Sequence, residues 1–503
     1  MATSHVESGS AQAFDPPPAR ATRIPWALLV ALVAGASILA LPTPPGLPVA
    51  GHRMLAIFVF AVVAWITEAV SYEVSSVLIV ALMALLLGLA PDVAKPEAMI
   101  GTTKALGMAL GGFANTALAL VAAALVIAAA MTITGLDRRI ALRTLALVGT
   151  SSRRVLLGAI AVTVALSFVV PSATARTACV VPIMLGVITA FGVDRRSRFA
   201  AAIMITVAQA TSIWNIGIQT SAAQNVLAVG FMQKLLGQSV TWLEWLVAGA
   251  PWSIAMSAVL YFVVLRVLPP ETREIGGGAE AVRGELAKLG PMTSAQIRLA
   301  AASLVLLGFW STEKVLHGFD TTTTTIAVLS ILFLPGIGIM TWKDVQSRIP
   351  WGTLVVFGVG ISLGTALLDT KAGAWLAEIV VQRFGLEALS PFAVFAVLAA
   401  FLIVIHLGFA SATALMSAML PIVISVLQRL PDHTHTLGLT MVLAYTVSFG
   451  FVLPVNAPQN MVCIGTGTFT PGQFRTVGLW VTAIGYAMLL LFAATWWRWL
   501  GWL

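Results

Sequence analysis

The chain carries one short motif twice, and this repetition constrains the fold more than any other feature. Residues 172–175 and 411–414 both read Ser-Ala-Thr-Ala, and each copy is followed, after six residues, by Pro-Ile. Each copy lies between two apolar arms of about 16 residues, which as helices reach only about 24 Å and fall short of a bilayer crossing. A chain can break its helical backbone inside a membrane only where that backbone is buried in protein or lines a wet cavity. The motif therefore predicts two re-entrant hairpins, hairpin 1 at 155–191 and hairpin 2 at 391–427, with a binding site between their tips.

The composition places these hairpins in a membrane protein. Hydrophobic residues make up 59% of the 503 residues and charged residues only 10%, which is typical of a polytopic helical membrane protein. The net charge of +8 comes from cations scattered between apolar spans, without a basic and aromatic patch, so we expect a lipid bilayer and no nucleic acid as partner. The two cysteines lie inside apolar spans, so neither a disulfide framework nor a metal site is expected.

The apolar segments predict an all-α fold of about eleven transmembrane helices plus the two hairpins. The fourth span is predicted at about 105–136 and the sixth at 250–268, and the charged residues between the fourth span and hairpin 1 are read as a loop. Two of the spans, at 199–231 and 436–467, are interrupted by polar and small residues, which indicates broken helices. The predicted divisions are a disordered cytoplasmic N-terminus (1–23), a first half (24–268), a cytoplasmic linker (269–297) and a second half (298–503). Lys and Arg favour a cytoplasmic N-terminus by about two to one, and we expect the protein to lie in a bacterial inner membrane.

Further paired matches relate the two halves. Trp65 to Glu68 recurs as Trp310 to Glu313, and Gln-Asn at 224–225 recurs at 459–460, at offsets of 245 and 235. Because five crossings separate the two tips, the halves are expected to be inverted, with one hairpin entering from each side of the membrane. Inverted repeats with broken helices are typical of secondary transporters, and half-helix N-termini favour anions.

Several polar residues are candidates for the solute site. The tip hydroxyls could bind carboxylates or could bond to the preceding helical turn instead. The amides of the broken helices could contact solute or satisfy freed backbone groups. The tip hydroxyls are Ser172, Thr174, Ser411 and Thr413, and the amides are Asn215, Gln224, Asn225, Asn456, Gln459 and Asn460.

Charged and titratable residues within spans allow more than one interpretation. Arg176, whose repeat counterpart is Leu415, could face an anionic solute or could pair with helix C-terminal carbonyls. His406 could carry a proton, although a packed, hydrogen-bonded histidine is the preferred reading. Glu68 and Glu313, at span ends, are read as interfacial. No Walker sequence, dinucleotide fingerprint or paired-histidine zinc motif is found, so an enzyme is not expected.

From about residue 24 onward, these motifs together resemble the divalent anion/sodium symporter family of di- and tricarboxylate transporters. Residues 171–176 (PSATAR) and 406–414 (HLGFASATA) are similar to its citrate/succinate and oxoglutarate/malate antiporter branch, whereas 453–460 is closer to the symporter pattern. The resemblance implies a homodimer with a mobile transport domain that moves as an elevator. It also implies that the tip residues Ser172, Ala173, Thr174, Ser411, Ala412 and Thr413, with Arg176, Asn225 and Asn460, bind substrate. The remaining amides, Asn215, Gln224, Asn456 and Gln459, would complete ion or broken-helix sites.

Two departures from the family pattern concern sodium. Ala173 and Ala412 stand where the family carries tip asparagines that contact substrate and help to coordinate Na⁺. Phe168 and Leu407 stand where symporters place a hydroxyl ligand. Because a hard cation needs several oxygen ligands, we expect weakened or absent Na⁺ sites, with Arg176 supplying positive charge, and no other cofactor.

The sequence therefore predicts a secondary active transporter of small organic dianions, such as succinate, malate or citrate, that works by exchange. Sodium-coupled symport and transport of sulfate are the alternatives with the same architecture. An anion channel or a non-transporting sensor is the alternative of another class.

Overall fold

The structure is a computed structural model. It describes five stretches of the chain: residues 25–148, 151–190, 192–271, 278–432 and 434–503. The predicted disordered N-terminus (1–23) lies outside the described residues, as does part of the predicted linker (272–277). The described residues form helices and connecting turns, with two isolated β-bridges and no strand.

Eleven helices precede the linker. They are α1 (Trp26–Ala40), α2 (Val49–Ile66), α3 (Tyr72–Leu82), α4 (Thr102–Leu110), α5 (Thr116–Thr134), α6 (Leu136–Val148), α7 (Ser152–Val169), α8 (Ala173–Ala190), α9 (Arg198–Gly217), α10 (Ala223–Phe231) and α11 (Trp242–Val267).

Twelve more helices follow. They are α12 (Gly278–Lys288), α13 (Ser294–Thr312), α14 (Thr321–Phe333), α15 (Trp342–Gln346), α16 (Trp351–Asp369), α17 (Ala372–Phe384), α18 (Pro391–His406), α19 (Ala412–Leu427), α20 (Thr436–Thr446), α21 (Pro458–Ile464), α22 (Pro471–Ala494) and α23 (Trp496–Trp499). The run α2 to α11 recurs in the same order as α13 to α22, so the repeat seen in the motifs extends to the helices.

Apolar helices dominate the chain. Nine helices of the described residues have the length and hydropathy needed to cross a membrane, among them α2, α5, α9, α11, α13 and α16. Six shorter apolar helices accompany them. This arrangement confirms the prediction of an all-α polytopic membrane protein.

The helix boundaries differ from the predicted spans in four places. The predicted fourth span at 105–136 is two helices, α4 and α5, separated by a 3₁₀ turn at Gly111–Ala114. Helix α11 begins at Trp242 and not at 250. Helices α6 and α12 lie in segments that the sequence predicts to be charged loops, because their many polar residues hide the apolar signal that marks a span. Helix α17 was missed because its 13 residues are too few to read as a crossing.

Both predicted hairpins are pairs of short helices. Hairpin 1 consists of α7 and α8, of 18 residues each, and hairpin 2 consists of α18 and α19, of 16 residues each. Ser151 caps the first arm of hairpin 1 and Ser390 caps the first arm of hairpin 2, each by accepting a bond from a backbone N–H three residues ahead. The arms of hairpin 2 are short, as expected, but both arms of hairpin 1 are long enough to cross a membrane, because each is two residues longer than the sequence predicted. Both tips line a cavity between helices.

Helix α9 packs at the centre of the first half and is buried from Phe199 to Gly217. Helices α7, α8, α11 and α21 all contact it. Trp245 on α11 donates its indole N–H to the Ile216 carbonyl at 2.9 Å, and Ser253 donates to the Ile213 carbonyl at 2.8 Å. These bonds fix the end of α9, and therefore the position of the broken-helix residues that follow it.

Candidate functional site

A cavity of about 490 Å³ lies where the two hairpin tips meet the two broken helices. Hairpin 1 and hairpin 2 supply their tips, and the other polar residues come from the ends of α9, α10 and α21. The lining residues from these elements are Pro171, Ser172, Ala173, Thr174, Ala175, Ala178, Asn215, Ala222, Ala223, Gln224, Ser411, Ala412, Thr413, Ala457, Pro458 and Gln459. The structure thus brings together nine of the thirteen candidate residues, drawn from both halves.

The tip serines cap the second arms of their hairpins. Ser172 Oγ accepts a bond from the Ala175 N–H at 3.3 Å, and Ser411 Oγ accepts one from the Ala414 N–H at 3.3 Å. A hydroxyl that accepts at its oxygen still has its own hydrogen to donate. Thr174 and Thr413 form no side-chain hydrogen bond with the described residues, unlike Thr163, which bonds to the carbonyl four residues earlier. The hydroxyls of Ser172, Thr174 and Thr413 are therefore free to donate to a solute, whereas the Ser411 hydroxyl also has a hydrogen bond with the hydroxyl of Tyr72.

Three helices of nine or more residues begin at this cavity, as does the seven-residue α21. Helices α8, α10 and α19 place their first residues in its lining, and the first N–H groups of a helix have no acceptor within the helix. The aligned peptide dipoles add a partial positive charge of roughly +0.5 at each N-terminus. The cavity is therefore electropositive and rich in hydrogen-bond donors, which suits an anion.

The two broken helices are held open by equivalent asparagines. Break 1 is residues 218–222, between α9 and α10, and break 2 is residues 447–457, between α20 and α21. Asn225 Nδ2 donates to the Asn215 carbonyl at 2.5 Å, and Asn460 Nδ2 donates to the Gly450 carbonyl at 2.8 Å, in each case ten residues back. Both asparagines are buried, do not line the cavity and satisfy backbone carbonyls that the break has freed.

The glutamines that precede these asparagines connect the two halves. Gln224 Nε2 donates to Ser448 Oγ at 3.3 Å, and Gln459 Nε2 donates to Ser212 Oγ at 3.0 Å. Each glutamine therefore reaches from its own broken helix to the broken helix of the other half. Both glutamines also line the cavity, so they connect the two halves and border the space that a solute would occupy.

Asn456 connects break 2 to the end of α18 in hairpin 2. Its Nδ2 donates to the His406 carbonyl at 2.9 Å and to the Phe409 carbonyl at 3.0 Å, and the ring Nε2 of His406 lies 3.2 Å from the Asn456 carbonyl. Neither residue lines the cavity. His406 is fully buried and hydrogen-bonded, as the packed reading of this residue expects.

Arg176 lies behind the tip of hairpin 1 and outside the cavity lining. Its side chain is fully buried, and its Nη1 donates to the Val170 carbonyl at 2.9 Å and to the Ser221 carbonyl at 2.7 Å. Its Nη2 donates to Asn215 Oδ1 at 2.6 Å. The guanidinium thus contacts carbonyls of break 1 and of residues 170–172, the hairpin link between α7 and α8. Because Arg176 does not line the cavity, its charge acts on the cavity only at a distance.

The opposite wall of the cavity was not predicted from the sequence. It is formed by α3, α5, the turn between α15 and α16, and the start of α16; the residues are Tyr72, Leu125, Arg348, Pro350, Thr353 and Val356. None of these residues belongs to a repeated motif, and in the sequence Arg348 is one of many cations between spans. Only tertiary packing brings them opposite the tips, so no local signal could have identified them.

A larger cavity, of about 940 Å³, lies along α8 from Ala178 to Ala190, beyond the tip of hairpin 1. Helices α6 and α12 form its other walls, and Ala178 lines both cavities. Its charged residues have both signs: Glu285 accepts bonds from Arg138 at 2.9 Å and from Lys288 at 2.6 Å. These charges offset one another, so the cavity between the tips, whose one charged side chain among the described residues is a cation, is the candidate site for an anion.

Metal ligation has no support in the described part of the chain, where no group of three or more His, Cys, Asp or Glu is placed to hold a metal ion. Any cation at this site would instead depend on carbonyl and amide oxygens of the broken helices.

Comparison with known proteins adds independent information. The family model described as "Sodium:sulfate symporter transmembrane region" matches residues 22–503. A protein of Cupriavidus necator named only "Membrane protein" is 66% identical over 96% of this chain and 94% of its own length.

Two more distant relatives have functional names. The sodium-dependent dicarboxylate transporter SdcS of Staphylococcus saprophyticus is 26% identical over 89% of this chain and 86% of its own length. The citrate/succinate antiporter of Escherichia coli is 26% identical over 93% of this chain and 96% of its own length. Among solved structures, the YdaH transporter of Alcanivorax borkumensis matches with a TM-score of 0.54 at 14% identity, over 88% of this chain and 98% of that one. At that identity the similarity speaks for the fold alone.

Proposed function

Because the chain belongs to the family of the sodium:sulfate symporter transmembrane region, we propose that it is a secondary active transporter of small organic dianions. Dicarboxylates such as succinate and malate, or citrate, are the proposed solutes. Two relatives that align with this chain over most of their lengths are named for dicarboxylate transport and for citrate/succinate antiport.

The observation that carries the proposal is the lining of the cavity. Donors from both halves face it: the tip hydroxyls, the amides of Gln224 and Gln459, and the N-termini of three helices. Among the described residues of the lining there is no carboxylate side chain that would repel an anion. A dicarboxylate has two separated carboxylates, and the two equivalent tips offer one donor set to each of them.

Arg176 supports exchange as the mode of transport. Its guanidinium already uses the Val170 and Ser221 carbonyls, the kind of oxygen that would otherwise coordinate a cation at break 1. A fixed cation offsets part of the charge of a dianion without a co-transported ion. Without a bound anion, the binding site keeps a net positive charge. This charge disfavours movement of the empty site back across the membrane. This reasoning agrees with the alanines at 173 and 412, which supply no side-chain oxygen.

Sodium-coupled symport is the second candidate, and a different observation favours it. Asn225 Oδ1 and Asn460 Oδ1 are both buried without a hydrogen-bond partner among the described residues. Their amide orientation is fixed, because in each case Nδ2 is the atom that donates to a backbone carbonyl. Two unpaired amide oxygens at equivalent positions could serve as cation ligands.

The membrane arrangement completes the proposal. We propose inverted halves with a cytoplasmic N-terminus, a homodimer, and an elevator motion of the hairpins with the broken helices. These features stay predictions, as do the exact solute and the boundaries of the two halves. Sulfate transport is the rival with the same architecture, and an anion channel or sensor is the rival of another class.

One experiment separates these possibilities. Uptake of radiolabelled succinate into proteoliposomes is measured with and without internal succinate, in sodium buffer and in choline buffer. Exchange predicts uptake that requires internal dicarboxylate and ignores sodium. Uptake into empty vesicles that follows a sodium gradient would establish symport, and uptake that needs neither would establish a channel. Absence of succinate, citrate and sulfate flux under all conditions would overturn the proposed transport function.

A further inference from the structure

Arg348 is the one charged side chain among the described residues that line the cavity between the tips. It lies in the turn between α15 and α16, on the wall opposite the hairpins, and its side chain is exposed. Pro350 and Thr353, which follow it at the start of α16, line the same wall. A guanidinium at this place borders the space that the solute would occupy.

Two other arginines of the chain use their guanidinium groups in hydrogen bonds to backbone carbonyls. Arg139 donates to the carbonyls of Leu289, Gly290 and Pro291, and Arg176 donates to hairpin 1 and break 1. The side chain of Arg348 forms no hydrogen bond or salt bridge within the described residues. Its five N–H donors are therefore available to a ligand.

The acidic neighbour of Arg348 is already engaged. Asp344 Oδ2 accepts bonds from the Thr341 N–H at 2.7 Å and from the Thr341 hydroxyl at 2.7 Å. These two bonds, and to a smaller extent the charge of Arg348, hold the pKa of Asp344 below its usual range. The carboxylate caps α15 and forms no salt bridge with Arg348, so it offsets the charge of Arg348 only at longer range and leaves the guanidinium N–H groups unused.

The two halves differ at this point. Helix α15 corresponds to α4 in the repeat, and the residues that link α4 to α5 are Gly111–Ala114, which carry no charge. The hairpin tips are nearly the same in both halves, so Arg348 gives one side of the site a cation that the other side lacks. By the predicted orientation, that side faces the cytoplasm.

We infer that Arg348 is a specificity-determining residue that attracts the anionic solute into the site and favours dianions over monoanions. The inference rests on the proposed function for the identity of the solute. Coulomb attraction scales with the charge of the ligand, so a dianion gains about twice as much as a monoanion. Because the guanidinium is exposed and screened by salt, removing it should weaken dianion binding by about three- to tenfold rather than abolish it.

The test compares the full-length wild type with three variants. Arg348→Gln removes the charge, Arg348→Lys keeps it, and Lys343→Gln removes a charge from an exposed position on α15 that does not line the cavity. Two readouts are used: thermal stabilisation of the purified protein by succinate and by propionate, and KM and kcat of succinate exchange in proteoliposomes at low and high ionic strength.

The expected result is a rise in the apparent Kd and KM for succinate in Arg348→Gln, with kcat nearly unchanged and a smaller loss of propionate binding, about two- to threefold. High salt should shrink the difference from wild type, Arg348→Lys should recover most of the affinity, and Lys343→Gln should match wild type. Equal succinate affinity in Arg348→Gln and wild type would overturn the inference, as would an equal loss in Lys343→Gln.

The two proposals fail in different ways. If the wild type binds succinate but does not transport it, the proposed function is wrong. The difference in succinate affinity between wild type and Arg348→Gln then still tests the role of Arg348. If the wild type exchanges succinate and Arg348→Gln does so with the same KM at every salt concentration, only the inference is wrong. If the wild type neither binds nor transports succinate, citrate or sulfate, both are wrong.

Discussion

The guanidinium of Arg176 donates a hydrogen bond to the backbone carbonyl of Ser221 at 2.7 Å, across 45 residues of sequence. Ser221 belongs to the 3₁₀ turn Gln219–Ser221 inside break 1, whereas Arg176 lies in the first turn of α8. A second bond from the same nitrogen to the Val170 carbonyl connects the hairpin link to this pair. One buried cation thus ties the tip of hairpin 1 to the broken helix beside it.

Replacing Arg176 should disable the site. Arg176→Gln removes the charge and leaves at least one buried carbonyl without a donor, which costs about 1–3 kcal/mol. We expect a lower thermal unfolding midpoint. We also expect succinate exchange to fall more than about tenfold, which corresponds to a loss of about 1.4 kcal/mol in the binding of the dianion once the fixed cation is removed. Thermal unfolding in detergent and exchange flux in proteoliposomes measure the two effects.

The control for Arg176 is Arg383→Gln, at the exposed end of α17. It makes the same change in net charge and should leave both quantities as in wild type. Arg176→Lys keeps the charge but offers a single ammonium group to several acceptors, so we expect intermediate activity. Full exchange activity in Arg176→Gln would contradict the role of Arg176 as a fixed cation.

The tip serines should affect solute affinity beyond their capping role. Ser172→Ala and Ser411→Ala each remove a cap, worth about 0.5–2 kcal/mol, and a donor that faces the cavity. We expect KM for succinate to rise about three- to tenfold in each variant, as the loss of one hydrogen bond predicts. Steady-state exchange kinetics give the KM values.

Ser390→Ala provides the matched comparison, because Ser390 also caps a helix of hairpin 2 but lies at its base and not in the cavity. Its stability should fall by a similar amount while KM stays the same. A rise in KM for Ser390→Ala as large as for the tip variants would mean that capping alone explains the effect.

A negative charge in the cavity should exclude the solute. Gln459→Glu keeps the shape of the side chain but places a carboxylate in a lining that has none among its described residues. It also loses the bond that Nε2 donates to Ser212 Oγ. We expect succinate uptake to fall below a tenth of wild type, by repulsion of the dianion. Gln238→Glu, which makes the same change at an exposed position away from the tips, should transport normally.

A wild-type rate in Gln459→Glu would show that the solute does not pass the tips, and would move the site elsewhere. The apparent affinity for succinate, measured at several ionic strengths, distinguishes the two causes of any loss. Repulsion weakens as salt rises, whereas a lost structural bond does not respond to it.

Close helix packing at Gly112 should be sensitive to a single methyl group. The Gly112 N–H donates to Ser362 Oγ at 2.9 Å, and a Cβ at this position would overlap the Gly358 carbonyl and lie 2.7 Å from the Ser362 nitrogen. We expect Gly112→Ala to lose about 1–3 kcal/mol of stability through overpacking. The thermal unfolding midpoint is the readout.

The neighbouring Gly107 on α4 serves as the control, because a Cβ there would meet nothing within 4 Å. Alanine is the better helix former by up to about 1 kcal/mol, so Gly107→Ala should leave the midpoint unchanged or raise it. If both variants were equally destabilised, the cause would be the loss of glycine in general and not the contact with α16.

The sequence was informative wherever the signal was local or repeated. The duplicated Ser-Ala-Thr-Ala motif located both tips to within one residue of the starts of α8 and α19. The polar and small residues that interrupt 199–231 and 436–467 indicated both helix breaks. It was less informative for α6 and α12, whose polar residues mask their helical character, and for the exact ends of spans such as α11.

What the sequence determined by itself is the all-α membrane fold, its internal repeat and the residues at the tips, because hydropathy and motif spacing are properties of the chain alone. Tertiary structure alone decided which of those residues face the cavity. Arg176 turned toward buried carbonyls, Asn225 and Asn460 turned toward their own breaks, and Arg348 came to lie opposite the tips. The reason is physical: a side chain's partners in a bundle are set by which helices pack together, and distant segments supply most of those partners.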